Sequence, residues 1–148
     1  MCFAVYIGTN EEQEIGEFVP EKTDIYFEHL TEEELEGLRP KFSNPYLYYV
    51  GSDTGCSCGL QFDSKNYNDP NEEINKKSPK RFLEFINQQT LKENLEFYCC
   101  WEGDWNDPIE EKIEIDIRTI SLDKNYFGLK ERQFILFKKQ EKPLANKT

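Results

Sequence analysis

Leu95-Glu96-Phe97-Tyr98-Cys99-Cys100-Trp101 decides the fold class. Leu95, Phe97, Cys99 and Trp101 fall on alternate positions with Glu96, Tyr98 and Cys100 between them, the two-residue period of a strand that lays one face on a core. The period recurs in residues 112–120, where Ile113, Ile115 and Ile117 alternate with Glu114, Asp116 and Arg118, and residues 133–138 (QFILFK) supply a last strand. Upstream, residues 2–7, 25–30 and 46–50 are short β-prone runs bounded by glycine or polar residues. Short polar connectors among the last three strands predict hairpins there.

Two segments carry helical signals instead. Thr31 and Glu34 have the spacing of a capping box, predicting a short helix to Leu38 that Pro40 stops. Ser78 and Pro79 suit an N-cap and first helical position, and Phe82, Leu83, Phe85 and Ile86 form one apolar stripe, predicting a helix over 79–89. Residues 63–77 read as a polar loop. The order predicts one α+β domain over residues 1–148: a single, mostly antiparallel sheet with about two helices packed on a face, ending in a basic, frayed tail at 139–148.

Charge narrows the classes of partner. The 29 acidic and 18 basic side chains leave a net charge of −11, which repels phosphate backbones and anionic membranes and favours encounter with a basic protein. No apolar run approaches the roughly 18 residues that cross a bilayer. Five cysteines without a signal-peptide pattern at the start point to a reducing cytoplasm and free thiols.

The thiols are the chemically suggestive residues, above all in Gly55-Cys56-Ser57-Cys58-Gly59. A C-x-C pair sets two soft ligands close enough to share zinc or another thiophilic metal, and a tetrahedral site would need Cys2, Cys99, Cys100 or His29 to converge on it. Each cysteine can equally be a small core hydrophobe, Cys99 most of all. For a redox pair, no lysine, arginine or histidine adjoins Cys56 and Cys58 to depress a thiol pKa, and Asp53 would raise it. The turn also matches the G-x-S-x-G elbow of α/β-hydrolases, but no helical pattern follows it and His29 lies upstream. Asp53-Thr54-Gly55 resembles one loop of an aspartic protease, present in a single copy.

Removal of Met1 would leave Cys2 with a free α-amine able to act as its own base, a start similar to that of N-terminal-nucleophile amidohydrolases. Taken together, Met1-Cys2, Tyr48-Tyr49-Val50-Gly51-Ser52 running into Gly55–Gly59, and Cys100-Trp101-Glu102-Gly103-Asp104 resemble a group of small uncharacterised bacterial proteins, to which no activity attaches. The resemblance implies that the loops after Val50 and after Trp101 form one surface. The sequence therefore favours a non-catalytic interaction protein, inhibitor- or immunity-like, meeting a basic partner through Asp53, Glu102, Asp104 and Asp107 and needing no cofactor. The alternative is a thiol protein: either a Cys2 amidohydrolase, or a soft-metal site on Cys56 and Cys58 completed by Cys2 and Cys100.

Overall fold

The computed structural model describes residues 2–141 as one six-stranded sheet with two α-helices. Strands β1 (Phe3–Thr9), β2 (Ile25–His29), β3 (Tyr46–Ser52), β4 (Leu95–Trp101), β5 (Glu111–Ile115) and β6 (Gln133–Phe137) lie in the order β2-β3-β1-β4-β6-β5. Every neighbouring pair is antiparallel except β5 and β6, which run parallel. The expected α+β class is the class observed.

The last three strands correct the expected hairpins. β6 pairs with both β4 and β5, so it lies between them. Composition explains the order: β6 is buried along nearly its whole length and needs a neighbour on each side, whereas β5 keeps its charged residues at the exposed edge. The connection from 116 to 132 is no polar spacer either, since Ile117, Leu122, Tyr126 and Leu129 are buried in it. The strand expected over 112–120 ends at Ile115, because the Asp116 carboxylate accepts the Arg118 N–H at 3.0 Å and starts a single 3₁₀ turn.

Helix α1 (Glu32–Leu38) is capped as expected. Thr31 Oγ1 accepts the Glu34 N–H at 3.2 Å, and Glu34 Oε1 accepts the Thr31 N–H at 2.9 Å. Helix α2 (Lys77–Thr90) starts earlier than expected, because residues 70–76 are already wound into a 3₁₀ helix, and Ser78 does not cap it. The Ser78 hydroxyl instead accepts the Asp53 N–H at 2.9 Å and donates to the Asp24 carbonyl at 2.6 Å, fastening α2 to the end of β3.

The helices cover opposite faces of the sheet rather than one. Phe82, Phe85 and Ile86 of α2 pack on Val5, Ile7, Val50, Phe97 and Ile135, while Leu38 of α1 and Phe42 pack on Ala4, Tyr6, Tyr98 and Phe134. Central strands β1 and β4 are thus buried on both sides, and the alternation in β4 separates two cores rather than core from water. At the chain's end, Lys139 N–H donates to Asn94 Oδ1 at 2.6 Å and Gln140 N–H to the Thr90 carbonyl at 2.7 Å, so the expected tail begins tied down. Its remainder, from residue 142, lies outside the described residues, as does Met1. No helix among the described residues is long and apolar enough to cross a membrane.

Candidate metal centre

Strand pairing creates the site. β1 and β3 are antiparallel with Val5 opposite Val50, so the residue before β1 and the turn after β3 arrive at the same end of the sheet. Cys2 is that residue, and 53–59 is that turn.

The turn is folded back by its own backbone. Gly55 N–H donates to the Ser52 carbonyl at 3.0 Å, Ser52 N–H donates to the Cys56 carbonyl at 2.9 Å, and Gly55 takes the left-handed φ of +85° that glycine adopts without strain. Ser57 is the pin. Its fully buried hydroxyl accepts the Val5 N–H at 2.9 Å and donates to the Val50 carbonyl, bridging β1 and β3 where the turn lands. A buried serine held by two backbone groups is no exposed nucleophile, so the elbow match carries a structural role. Gly59 is needed for close approach: a Cβ there would stand 2.2 Å from Ser52 Oγ, the atom that accepts the Gly59 N–H at 3.0 Å.

With Ser57 pinned, the cysteines flanking it turn toward Cys2. The Sγ atoms of Cys2, Cys56 and Cys58 all lie within 4.8 Å of one another, and each residue is half-buried. At a Zn–S distance of about 2.3 Å, thiolates around a tetrahedral ion sit about 3.8 Å apart, so the three sulfurs need move only about 1 Å to meet one. A cleft of about 630 Å³ opens over them, walled by Asp53, Asp63 and Glu72 among others.

The thiols of the turn differ in acidity. Burial pushes Cys56 up, but hydrogen bonds from the Thr54 hydroxyl (3.5 Å), the Cys58 amide and the thiols of Cys58 and Cys2 outweigh it and leave Cys56 below the ordinary thiol value. Cys58 is pushed up to about 11, by burial first and then by the hydrogen bonds it shares with Cys2 and Cys56. No lysine, arginine or histidine lowers Cys56, as the sequence implies, yet hydrogen bonds lower it all the same. The cause is the cluster, which no run of neighbouring residues displays.

Cys100 is excluded from the set expected from the sequence. It is buried under α1 with Tyr6, Tyr98 and Leu38, and burial, then Asp104, pushes its thiol up to about 12. Cys99, one residue earlier, therefore faces the other core, fully buried under α2, where burial again raises its thiol. His29 ends β2 with its ring 6.0 Å from that of Tyr48, outside the thiol cluster. The sulfur of Cys2 has two thiols as neighbours, and the α-amine that an amidohydrolase would use depends on Met1, outside the described residues.

The four acids expected to form one interaction surface are divided. Asp53 lines the thiol cleft. Glu102 lies on the other side of the turn; its N–H donates to the Cys2 carbonyl at 2.9 Å, and its side chain joins Gly55, Cys56 and Trp105 in a second concavity of about 1210 Å³. In that respect the loops after Val50 and Trp101 share one surface. Asp104 and Asp107 lie close enough to Cys100, and Asp107 to Lys41, to act on their charges, in a loop strapped to the α1 side by Trp105, which donates its indole N–H to Tyr6 Oη at 2.8 Å and accepts Lys41 Nζ on its carbonyl at 2.8 Å. The larger concavity collects carboxylates that the sequence did not place in an interaction surface: Glu17, Glu28, Glu32, Glu33 and Glu34. Glu34 is also the capping residue, and its second oxygen accepts Tyr6 Oη at 2.6 Å. No protein-family model, curated protein or solved structure matches the chain.

Proposed function

We propose that this protein binds a thiophilic metal ion, zinc or one of like softness, through Cys2, Cys56 and Cys58. One observation carries the proposal: three sulfurs from two chain segments, brought together only by the pairing of β1 with β3, lie within 4.8 Å of one another. The buried Ser57 and the tight Gly59 fix the turn before any ion arrives, which lowers the ordering cost of coordination. Three thiolates leave a fourth position facing the cleft, where Asp53, Asp63, Glu72 or water could supply a hard oxygen.

Cobalt(II) titration of the reduced protein tests this directly. Sulfur-to-cobalt charge-transfer bands in the near ultraviolet with intense visible bands are expected at one equivalent, and Cys58→Ser abolishes them. A native mass equal to the bare chain after zinc loading, with no cobalt spectrum, would sink the proposal.

A second reading has its own observation. Glu17, Glu28, Glu32, Glu33, Glu34 and Glu102 line one concavity beside Tyr26, Tyr49 and Trp105, a surface suited to the side chains of a basic protein. Salt-dependent binding of cationic proteins that is lost in Glu32→Lys/Glu33→Lys supports it; binding indifferent to that variant rejects it.

A further inference from the structure

Two other surface regions are each partly apolar and are opposite in charge. The first is a groove of about 1020 Å³ between α2 and the chain that leaves β5, with Leu83, Ile117, Ile120 and Leu122 in its floor. Ile74 at its lip is 65% exposed. Lys76, Lys77, Lys80 and Arg118 line it with Glu73, Glu84 and Asp123, one cation in excess on a chain of net charge −11. Lys76 is engaged by Glu73 at 2.8 Å and Arg118 by Asp116 at 2.6 Å, whereas among the described residues Lys77 and Lys80 form no ion pair. The groove thus offers an apolar floor beside the ammonium groups of Lys77 and Lys80, the latter close enough to Glu73 to help Lys76 hold its carboxyl down.

The second region is residues 10–24, joining β1 to β2. It carries six carboxylates against one lysine, contains neither helix nor strand, and exposes Ile15 (44%), Phe18 (36%) and Val19 (43%). A bond of 3.2 Å from Gly16 N–H to the Phe27 carbonyl holds it along β2. With Ile74, these residues make up four of the seven large hydrophobics exposed among the described residues. The other three lie elsewhere in the chain: Leu35 in α1, Tyr46 in β3 and Leu91 just after α2.

The segment runs beside β2 at one edge of the sheet and meets α2 through Asp24 and Gln13 on the helix side that carries Ser78 and Gln89. The groove lies on the other side of α2, lined by Lys77, Lys80 and Glu84, so Ile15 and Val19 reach a groove only in another molecule. We infer that a second copy of this chain occupies the groove: its segment 10–24 sets Ile15 and Val19 on the apolar floor while Glu14 and Glu17 face Lys77 and Lys80. Reciprocal insertion closes a two-fold dimer, and one-way insertion makes open chains. A contact this small belongs to the weak, concentration-dependent class.

Sedimentation velocity of the full chain, reduced and treated with chelator so that neither disulfides nor metal bridge molecules, tests the inference between about 1 μM and about 1 mM. The weight-average mass is expected to rise with concentration. Lys77→Glu/Lys80→Glu and, separately, Glu14→Lys/Glu17→Lys weaken association at least tenfold, and mixing the two charge-reversed variants restores it. All four positions are exposed, so far-UV circular dichroism should match the parent's. A parent that stays monomeric throughout overturns the inference, as does association indifferent to these variants or unrestored by mixing.

Discussion

Cys99 and Cys100 are neighbours in sequence and end in different cores; Cys56 and Cys58 are two apart and end side by side with Cys2. The difference lies in what holds each backbone. On β4 the pleat sends adjacent side chains to opposite faces, and both faces are covered, so each thiol is sealed and its pKa raised. In the turn, Ser57 occupies the buried position between the two cysteines, leaving both thiols on the side where Cys2 arrives. The strand seals its two sulfurs apart, and the turn gathers its two beside a third.

The largest expected consequence is in metal binding. Cys2→Ser, Cys56→Ser or Cys58→Ser should each abolish the one-equivalent cobalt(II) spectrum, while Cys100→Ala retains it; loss of the spectrum in Cys100→Ala would erase the distinction between the two regions. Thiol reactivity comes next. With limiting iodoacetamide at neutral pH, peptide mapping by mass spectrometry should find Cys56 modified first and Cys99 and Cys100 slower by about a hundredfold or more, because those thiols are buried and protonated. Equal labelling of all five cysteines in the folded protein would contradict this.

Ser57→Ala probes the pin itself. It leaves the Val5 N–H buried without its hydroxyl partner, a loss of about 1–3 kcal/mol, read as a shift in the urea midpoint. Cobalt affinity should fall with it, since the flanking sulfurs lose their common anchor, and an unchanged affinity would show that the turn closes without Ser57. The smallest effect is on pH dependence. Cys58 holds its proton more tightly folded, at about 11, than unfolded, at about 8.5. Its contribution is therefore complete below the unfolded value and is lost as pH rises toward the folded one. In the metal-free protein the urea midpoint should decline between about pH 8.5 and 11, less steeply in Cys58→Ser.

Features with short-range causes were the legible ones. Thr31 and Glu34 cap α1 as their spacing implies, and Leu95–Trp101 is a strand because its period is local. Ser78 misled because its hydroxyl serves Asp53 and Asp24, partners distant in sequence. The final hairpins failed for a similar reason: strand neighbours follow from which strand must bury both faces, and β6 outranks β5 in that. In the site, Cys56 and Cys58 could be singled out by the glycines around them, whereas the role of Thr54 and the gathering of Glu28, Glu33 and Glu34 around Glu102 had no sequence signal.

By itself the sequence determined the α+β class, most strand and helix positions, and the C-x-C pair as the place to look for thiol chemistry, because alternation, capping and turn formation depend on residues a few positions apart. Only the tertiary structure decided that Cys2 joins that pair and Cys100 does not. Cys2 is 54 positions from Cys56, and their meeting depends on β1 lying antiparallel to β3 in the register that sets Val5 against Val50. Cys100 is excluded by a pleat whose outer face α1 covers from elsewhere in the chain. Which strands become neighbours is settled by burying every apolar face at once, a property of the whole chain rather than of any motif in it.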